Sequence, residues 1–246
     1  MTPRTAHPVG RLSVNTVVSA RANEHRYFLA AAVVLTALVT WAFSFEYRDL
    51  IHPSQFTLLV QVHGLVMFTW VGLFLTQVAL IAWHRPLWHR RLGVIGMAVA
   101  VLVVALGVPT AIVACRLGGD HLPHGVTPTR FLAIALTDLA AFALLAGSAL
   151  ALRRRPDYHK RLMLLANMPP LIAALARLVG FLHLEIGPTP LRNILLLAFI
   201  VADTVRTRRL HPAYVAGAAC LIAADVGADA LIGTAAWAGF VRALTA

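Results

Sequence analysis

The chain alternates between long apolar stretches and short polar connections. An apolar helix needs about 20 residues to cross the hydrocarbon core of a bilayer. The pattern predicts seven such helices, at residues 28–44, 57–83, 92–115, 131–152, 162–183, 190–205 and 213–236. We therefore expect an all-α integral membrane bundle, with residues 1–26 as a cytoplasmic tail and residues 27–246 as the transmembrane domain. The tail has no apolar core of the kind that a cleavable signal peptide requires.

The composition agrees with this pattern. Hydrophobic residues make up 59% of the chain and charged residues 13%, whereas soluble domains are roughly 45–50% apolar. The mean hydropathy is +0.77. The two cysteines, Cys115 and Cys220, are too few for a disulfide framework. A water-soluble enzyme and a disulfide-rich secreted domain are therefore excluded, and the lipid bilayer is the expected surrounding.

The basic residues predict an orientation. The chain carries 21 Lys and Arg against 10 Asp and Glu, a net charge of +11. Fifteen of the 21 fall in segments on the same side as the N-terminus, five fall on the opposite side, and Arg177 lies within a helix. Because cytoplasmic loops retain Lys and Arg, we expect the N-terminus inside and the C-terminus outside. The membrane thus accounts for the positive charge, and no nucleic acid partner is expected.

A basic segment, which we call an elbow, recurs on the cytoplasmic side. Residues 85–92 read RPLWHRRL, residues 155–162 read RPDYHKRL, and residues 208–212 repeat the pattern loosely. The repetition predicts one helix followed by three related hairpins, formed by helices 2 and 3, 4 and 5, and 6 and 7. His89 and His159 could sense pH or lipid headgroups. The alternative is that the elbows anchor the helices against anionic lipid.

Five ionisable residues within the predicted helices stand out. An ionisable group in hydrocarbon costs at least about 2.5–3.5 kcal/mol and is by default a functional candidate. At about 1.5 Å per residue, the five come to similar depths in the outer half of the bilayer. We expect a shared polar cavity, with Arg177 in salt-bridge reach of at least one aspartate. The candidate catalytic residues are His63, Asp138, Arg177, Asp225 and Asp229.

Polar residues on helix 2 share one face. His63, Trp70 and Gln77 are spaced by seven residues, so they line one side of the helix, which we expect to point into the bundle. On helix 7, Asp225 and Asp229 are four residues apart and also share a face. Trp70 and Gln77 are therefore candidate substrate-binding residues.

Prolines are predicted to break two helices. Pro169 and Pro170 follow Asn167 in helix 5, and Pro109 lies in helix 3. Each proline removes a backbone hydrogen bond, and the freed carbonyl needs a partner from the protein or from water in a cavity. Asn167 is therefore a third candidate substrate-binding residue. The alternative is a packing kink without a site.

A metal or haem site is a further possibility. His63 and His183 are the candidate axial ligands for haem b or for a metal ion. In the outer loops, His183 with Glu185, and Asp120 with His124, are residue types that zinc or copper accepts. Their spacing matches no metal signature, and ordinary solvated loop polarity is the alternative explanation.

Short motifs in the chain suggest a family. HG at residues 63–64, HRRLG at 89–93 and HKRLM at 159–163 resemble a pattern in functionally uncharacterised bacterial multi-pass inner-membrane proteins. The resemblance covers roughly residues 57–220. It implies a helical bundle in a bacterial inner membrane, and it transfers no activity and no catalytic residue.

Three classes of function fit the sequence. The first is an acid–base enzyme on a hydrophobic or lipid-like small molecule, with Asp225 or Asp229 as acid or base, His63 as its counterpart and Arg177 orienting an anionic group. The second is a redox protein that binds haem b or a metal through His63 and His183. The third is a proton-coupled transporter or an accessory or assembly subunit. The sequence sets neither the substrate nor the oligomeric state.

Overall fold

A computed structural model describes residues 14–49, 57–118, 122 and 126–245. Within these ranges the chain is helical and contains no strand. The helices are α1 Val14–Asp49, α2 Leu58–Ala82, α3 Pro86–Leu117, α4 Pro128–Ala151, α5 Pro156–Ala166, α6 Met168–Phe181, α7 Pro188–Thr207, α8 Pro212–Ile232 and α9 Ala235–Thr245. The all-α bundle predicted from the apolar pattern is therefore confirmed.

Seven spans are long and apolar enough to cross a membrane, as predicted. They are Ala22–Ser44, Leu58–Ala82, Pro86–Leu117, Pro128–Ala151, Pro156–Phe181, Pro188–Thr207 and Pro212–Ile232. The third and fifth spans begin six residues earlier than expected, so each of the first two elbows forms the opening turns of a helix. The predicted tail falls partly outside the described residues, and its part from Val14 onward belongs to α1.

Most helices begin at a proline. Proline has no N–H to leave unbonded at a helix start, and its fixed φ suits the first turn. Threonine caps reinforce two starts, because the hydroxyls of Thr57 and Thr127 accept the N–H groups of Val60 and Arg130. The prolines at the first or second helical position are Pro86, Pro128, Pro156, Pro169, Pro188 and Pro212.

The fifth span is the centre of the bundle and is broken. Its halves α5 and α6 contact α1 and α4, while α7 packs on α6 and α8 packs on α5. The break falls at Asn167, two residues before Pro169 of the Pro169–Pro170 pair, as predicted. The predicted interruption at Pro109 is wrong, since α3 continues through it to Leu117. One missing hydrogen bond does not end a helix that apolar residues extend on both sides.

The elbows join helices in two different ways. We call the end of the bundle with the α2–α3, α4–α5 and α7–α8 connections the elbow end, and the opposite end the far end. The first two elbows join packed pairs, α2 with α3 and α4 with α5. The third elbow joins helices that pack mainly on other neighbours, α7 on α6 and α8 on α4 and α5. Side chains rather than close backbone contact therefore link α7 to α8.

Candidate functional site

A fully buried arginine lies in the far half of the bundle. Arg192, one turn into α7, is 0% exposed. Its Nη1 donates to Asp138 Oδ1 of α4 at 3.2 Å, and its Nη2 donates to Asp225 Oδ2 of α8. Nε and Nη2 also donate to Asn193 Oδ1, at 3.2 and 3.1 Å. These four residues form the Arg192 cluster, in which all three guanidinium nitrogens have acceptors.

The charges of the Arg192 cluster are unequal. Two carboxylates face one guanidinium, so the cluster carries a net charge of −1 when both acids are ionised. It is neutral when it holds one proton. The Asp138 side chain is 12% exposed and the Asp225 side chain 27%. Because a net charge in low dielectric is costly, the arrangement favours sharing one proton between two acids.

Arg192, not Arg177, is the cation bound to Asp138 and Asp225. Arg177 donates from Nη1 to its own helix at Ala173 O, 2.9 Å away, and its guanidinium lies 4.3 Å from the centroid of the Phe43 ring. Arg192 lies only two residues after the start of the predicted helix 190–205, so its position in the sequence does not distinguish it from an outer-loop charge. The signal that identifies it is the spacing of the buried stripe on α7: Arg192, Leu196, Phe199 and Asp203.

Two other predicted site residues, Asp229 and His63, have no described contact with the Arg192 cluster. Asp229 is exposed one turn beyond Asp225. His63 is half-buried on α2, and its Nδ1 is buried without a hydrogen-bond partner among the described residues. Of the five predicted catalytic residues, the structure thus brings Asp138 and Asp225 together around one cation.

The predicted stripe on α2 faces the interior at Trp70. The Trp70 ring is buried, its Nε1 donates to Asn167 Oδ1 at 3.0 Å, and it packs edge-on against Phe142. Asn167 Nδ2 donates to Met163 O at 2.8 Å. Gln77 is half-buried, and its Oε1 is buried without a described partner. Trp70 and Asn167 therefore tie α2 to the break in the central helix.

The predicted His63 and His183 ligands are not joined by any described contact. His183 is exposed just after α6, with φ of +50°. The described part of the chain contains no group of three or more His, Cys, Asp or Glu side chains placed to hold a metal ion. Asp120 and His124 lie outside the described residues.

A second ion cluster lies at the elbow end and was not predicted. Asp203 of α7 is 1% exposed and binds two arginines. Arg161 of α5, itself buried, donates from Nε to Asp203 Oδ2 at 2.7 Å, and Arg206 donates from Nε to Oδ1 at 3.1 Å. We call these three residues the Asp203 cluster. Arg161 lies in the second elbow, for which lipid anchoring is one of the two explanations that the sequence offers, and residue spacing alone does not reveal a buried partner.

Two tyrosines extend the Asp203 cluster to α1 and α8. The Tyr27 hydroxyl donates to Phe199 O at 2.8 Å and lies 3.3 Å from the Tyr214 hydroxyl. The guanidinium of Arg206 lies 5.5 Å from the Tyr27 ring centroid, and that of Arg161 lies 5.8 Å from the Tyr214 ring centroid. The cluster therefore joins four helices at the elbow end.

An open cavity of about 760 Å³ also lies at the elbow end. Lys160 at its edge binds Glu24 of α1 and Asp157 of α5. The charges at this edge are thus largely paired within the protein. The cavity is lined by Ala22, Glu24, His25, His84, Pro156, Asp157 and Lys160.

Comparison of the chain with protein-family models, curated proteins and solved structures finds no match. The chemistry of the Arg192 and Asp203 clusters must therefore be argued from their own geometry.

Proposed function

We propose that the chain is a proton-coupled membrane transporter in which the Arg192 cluster binds and releases the proton. The observation that carries this proposal is the pairing of two carboxylates with one fully buried guanidinium. Intramembrane acids that can hold one proton between them are a common means of coupling proton movement to a change of shape. The proton acceptor is the pair of acids, Asp138 and Asp225, that share the guanidinium.

Protonation of Asp225 changes how the helices are held. In the ionised state Arg192 binds both acids, so that α4, α7 and α8 are tied together. When the shared proton lies on Asp225, that side chain loses its charge and binds the guanidinium more weakly than ionised Asp138 does. Because α7 and α8 pack mainly on other neighbours, loss of the Arg192–Asp225 link frees α8 to move relative to α7. A ligand-driven shift of this kind needs only a difference in proton affinity between two states.

The buried face of α7 supports a gated route. Leu196 and Phe199 separate the Arg192 cluster at one end from the Asp203 cluster at the other. The buried face of α7 is thus polar at both ends and apolar in the middle. Such an apolar segment would keep the two sides of the membrane separate during transport.

An acid–base enzyme on a lipid-like substrate is the second candidate. It is favoured by the 27% exposure of the Asp225 side chain, which lets a molecule within the bilayer approach an acid that is positioned by a buried cation. In this case Asp225 transfers a proton to the bound molecule rather than across the membrane.

The site of action follows from the charge distribution. We infer that the chain resides in a bacterial inner membrane with its N-terminus in the cytoplasm. The excess of Lys and Arg at the elbow end supports this orientation. The Arg192 cluster then faces the periplasmic half of the bilayer and the Asp203 cluster the cytoplasmic half.

The experiment is proton flux into proteoliposomes that contain a trapped pH dye. A pH gradient is imposed, and sodium, potassium and small organic acids are tested in turn as the coupled species. Asp225→Asn is expected to abolish coupled proton movement. Asp229→Asn, which changes an exposed acid one turn away on α8 that lies outside the Arg192 cluster, is the matched control and is expected to keep near-wild-type flux.

Infrared difference spectra after a pH step provide a second readout. Wild-type protein is expected to show a protonated carboxyl band that Asp225→Asn removes. If both Asp225→Asn and Asp138→Asn keep wild-type proton flux and lose only stability, the cluster is a structural fastener and the transporter proposal is wrong. If flux is absent in all proteins but the carboxyl band remains, the enzyme candidate takes its place.

A further inference from the structure

Two histidines at equivalent positions of the first two elbows face each other. His89 lies in the first turn of α3 and His159 in the first turn of α5. They are the fifth residues of the repeated segments 85–92 and 155–162. Their ring centroids are 6.3 Å apart, and the ring planes are at 84°. The two related hairpins thus bring the same side chain to one point from opposite sides.

Each ring is held by its Nδ1 atom. Nδ1 of His89 binds Gln77 O at 3.3 Å, and Nδ1 of His159 binds Ala149 O at 2.8 Å. A carbonyl oxygen only accepts, so Nδ1 carries the proton and Nε2 keeps its lone pair in a neutral imidazole. Neither Nε2 has a described hydrogen-bond partner. Histidines that bind metals are typically oriented in this way, by a carbonyl on the second ring nitrogen.

The ring separation fits a shared ion. An imidazole nitrogen binds a metal at about 2.0 Å, and the ring centre lies about 1 Å behind that nitrogen, so imidazoles on opposite sides of one ion have centroids about 6 Å apart. A tetrahedral angle at the ion would bring the rings closer, to about 5 Å. The observed 6.3 Å therefore matches two ligands in a nearly linear arrangement.

We propose that His89 and His159 bind one Cu(I) ion through their Nε2 atoms. The described residues offer no third His, Cys, Asp or Glu ligand that would complete a group of three, so a metal that demands four protein ligands is poorly served. Imidazole is a ligand that suits copper. Cu(I), with a filled d shell, accepts two nitrogens in line. This site is independent of the Arg192 cluster and of the proposed transport.

Neighbouring cations are already engaged. Lys160 binds Glu24 and Asp157, Arg161 binds Asp203, and the guanidinium of Arg91 lies 5.5 Å from the Trp88 ring centroid. The charge of these three side chains is therefore balanced or directed away from the two imidazoles, whereas the Arg90 cation lies close enough to His89 to act on it electrostatically. A singly charged ion meets less repulsion here than a divalent one.

The third elbow provides an internal contrast. His211 accepts the N–H of Ala213 at its Nδ1, which places the proton on Nε2, and its ring packs against Tyr158. This tautomer caps α8 and leaves no lone pair for a metal at Nε2. His211 is therefore the matched control.

The test is Cu(I) titration of the purified full-length protein in detergent, in competition with a chromogenic Cu(I) chelator. Wild-type protein is expected to take one equivalent per chain. His89→Asn and His159→Asn are each expected to lose it, while His211→Asn retains it. The asparagine amide can still donate to Gln77 O or Ala149 O, so these variants keep the hydrogen bond and lose only the ligand. Circular dichroism and size-exclusion elution check that they fold.

X-ray absorption of the copper-loaded protein identifies the ligands. Two nitrogen scatterers at a two-coordinate distance are expected. Any of three results overturns the proposal: retention of copper by both asparagine variants, preferential binding of Zn²⁺ by the wild-type pair, or a haem Soret band that depends on His89 and His159.

Discussion

Arg192 and Asp203 lie eleven residues apart on one face of α7, and each is the centre of a buried ion cluster. Eleven residues span three turns and about 16 Å. Leu196 and Phe199 occupy the same face between them. A single helix therefore carries the charged groups of both halves of the bundle and the apolar segment that separates them.

Replacing Arg192 by methionine is expected to destabilise the protein by about 3–5 kcal/mol. The change leaves Asp138 and Asp225 buried without their counter-ion. Removing one partner of a buried ion pair costs more stability than replacing the whole pair by apolar residues. Steric-trapping or denaturant unfolding in micelles measures the loss. Arg130→Met, at an exposed position in α4, is the control and is expected to stay within about 0.5 kcal/mol of wild type. Equal effects of the two changes would contradict the role assigned to Arg192.

Asp203→Asn is expected to cost about 3–5 kcal/mol, because it leaves Arg161 and Arg206 without a buried carboxylate. Asp157 also lies beside Arg161, but its side chain is 70% exposed. Asp157→Asn is therefore expected to cost less than about 1 kcal/mol. The same unfolding assay compares the two, and a larger loss for Asp157→Asn would show that the Asp203 cluster is not the main fastener at the elbow end.

Gly217→Ala is expected to destabilise the protein by about 1–3 kcal/mol through overpacking. A β-carbon on Gly217 would collide with a methyl group of the fully buried Leu165, whose Cγ would also lie only 3.3 Å away. Gly227 on the same helix has an ordinary contact, with Thr137 Cγ2 4.0 Å from the added carbon. Gly227→Ala is therefore expected to be neutral or stabilising. Thermal unfolding of both variants side by side distinguishes the two sites, and equal midpoints would refute the close approach of α5 and α8.

Trp70→Phe is expected to lose about 1 kcal/mol, typical of an interhelical hydrogen bond in a membrane protein. The change removes the donor to Asn167 Oδ1 and keeps most of the ring that packs on Phe142. Trp83→Phe, at an exposed position, is the control. Hydrogen exchange around the α5–α6 junction is expected to rise in Trp70→Phe alone. Unchanged protection there would argue against a stabilising link between α2 and the break at Asn167.

Stability is expected to fall with decreasing pH through His211. Burial, and next the Arg161 cation, lower the pKa of His211 from its ordinary value of 6.5, partly offset by Asp157. The folded state therefore binds fewer protons than the unfolded state, so the His211 contribution is complete above pH 6.5 and is lost as the pH falls through the lowered pKa. Protonation also removes the acceptor for the Ala213 N–H.

His211→Asn tests this dependence. Asparagine is a good N-cap and does not titrate, so the variant is expected to show a flatter stability curve between about pH 7 and pH 5. His183→Asn, at an exposed position of the far end, serves as the control. A slope that survives in His211→Asn would assign the pH dependence to other groups.

The apolar pattern predicts the spans because each helix must satisfy its backbone within itself in lipid. It predicts the starts of helices less well. The charged elbows have the composition of loops, but Pro86 and Pro156 begin helices there. The ion-pair partners of buried charged residues are harder still to predict from the sequence. The position of Asp138 and Asp225 along their helices predicts that they lie at a similar depth in the membrane. Whether Arg177 or Arg192 is the cation that binds them depends on how each helix is rotated about its axis. Helix rotation is set by tertiary packing, which a single sequence does not show.

The prolines at the helix starts also define where the chain tolerates change. A proline suits the first turn of a helix and is unfavourable in the interior, so residues inserted before the caps Thr127, Gly187 or His211 lengthen a connection and leave the register of the next span untouched. The residue at which each of these spans begins is thus fixed by its own proline. Tags and reporter domains placed at these junctions leave the buried stripes of α4, α7 and α8 in phase with their partners.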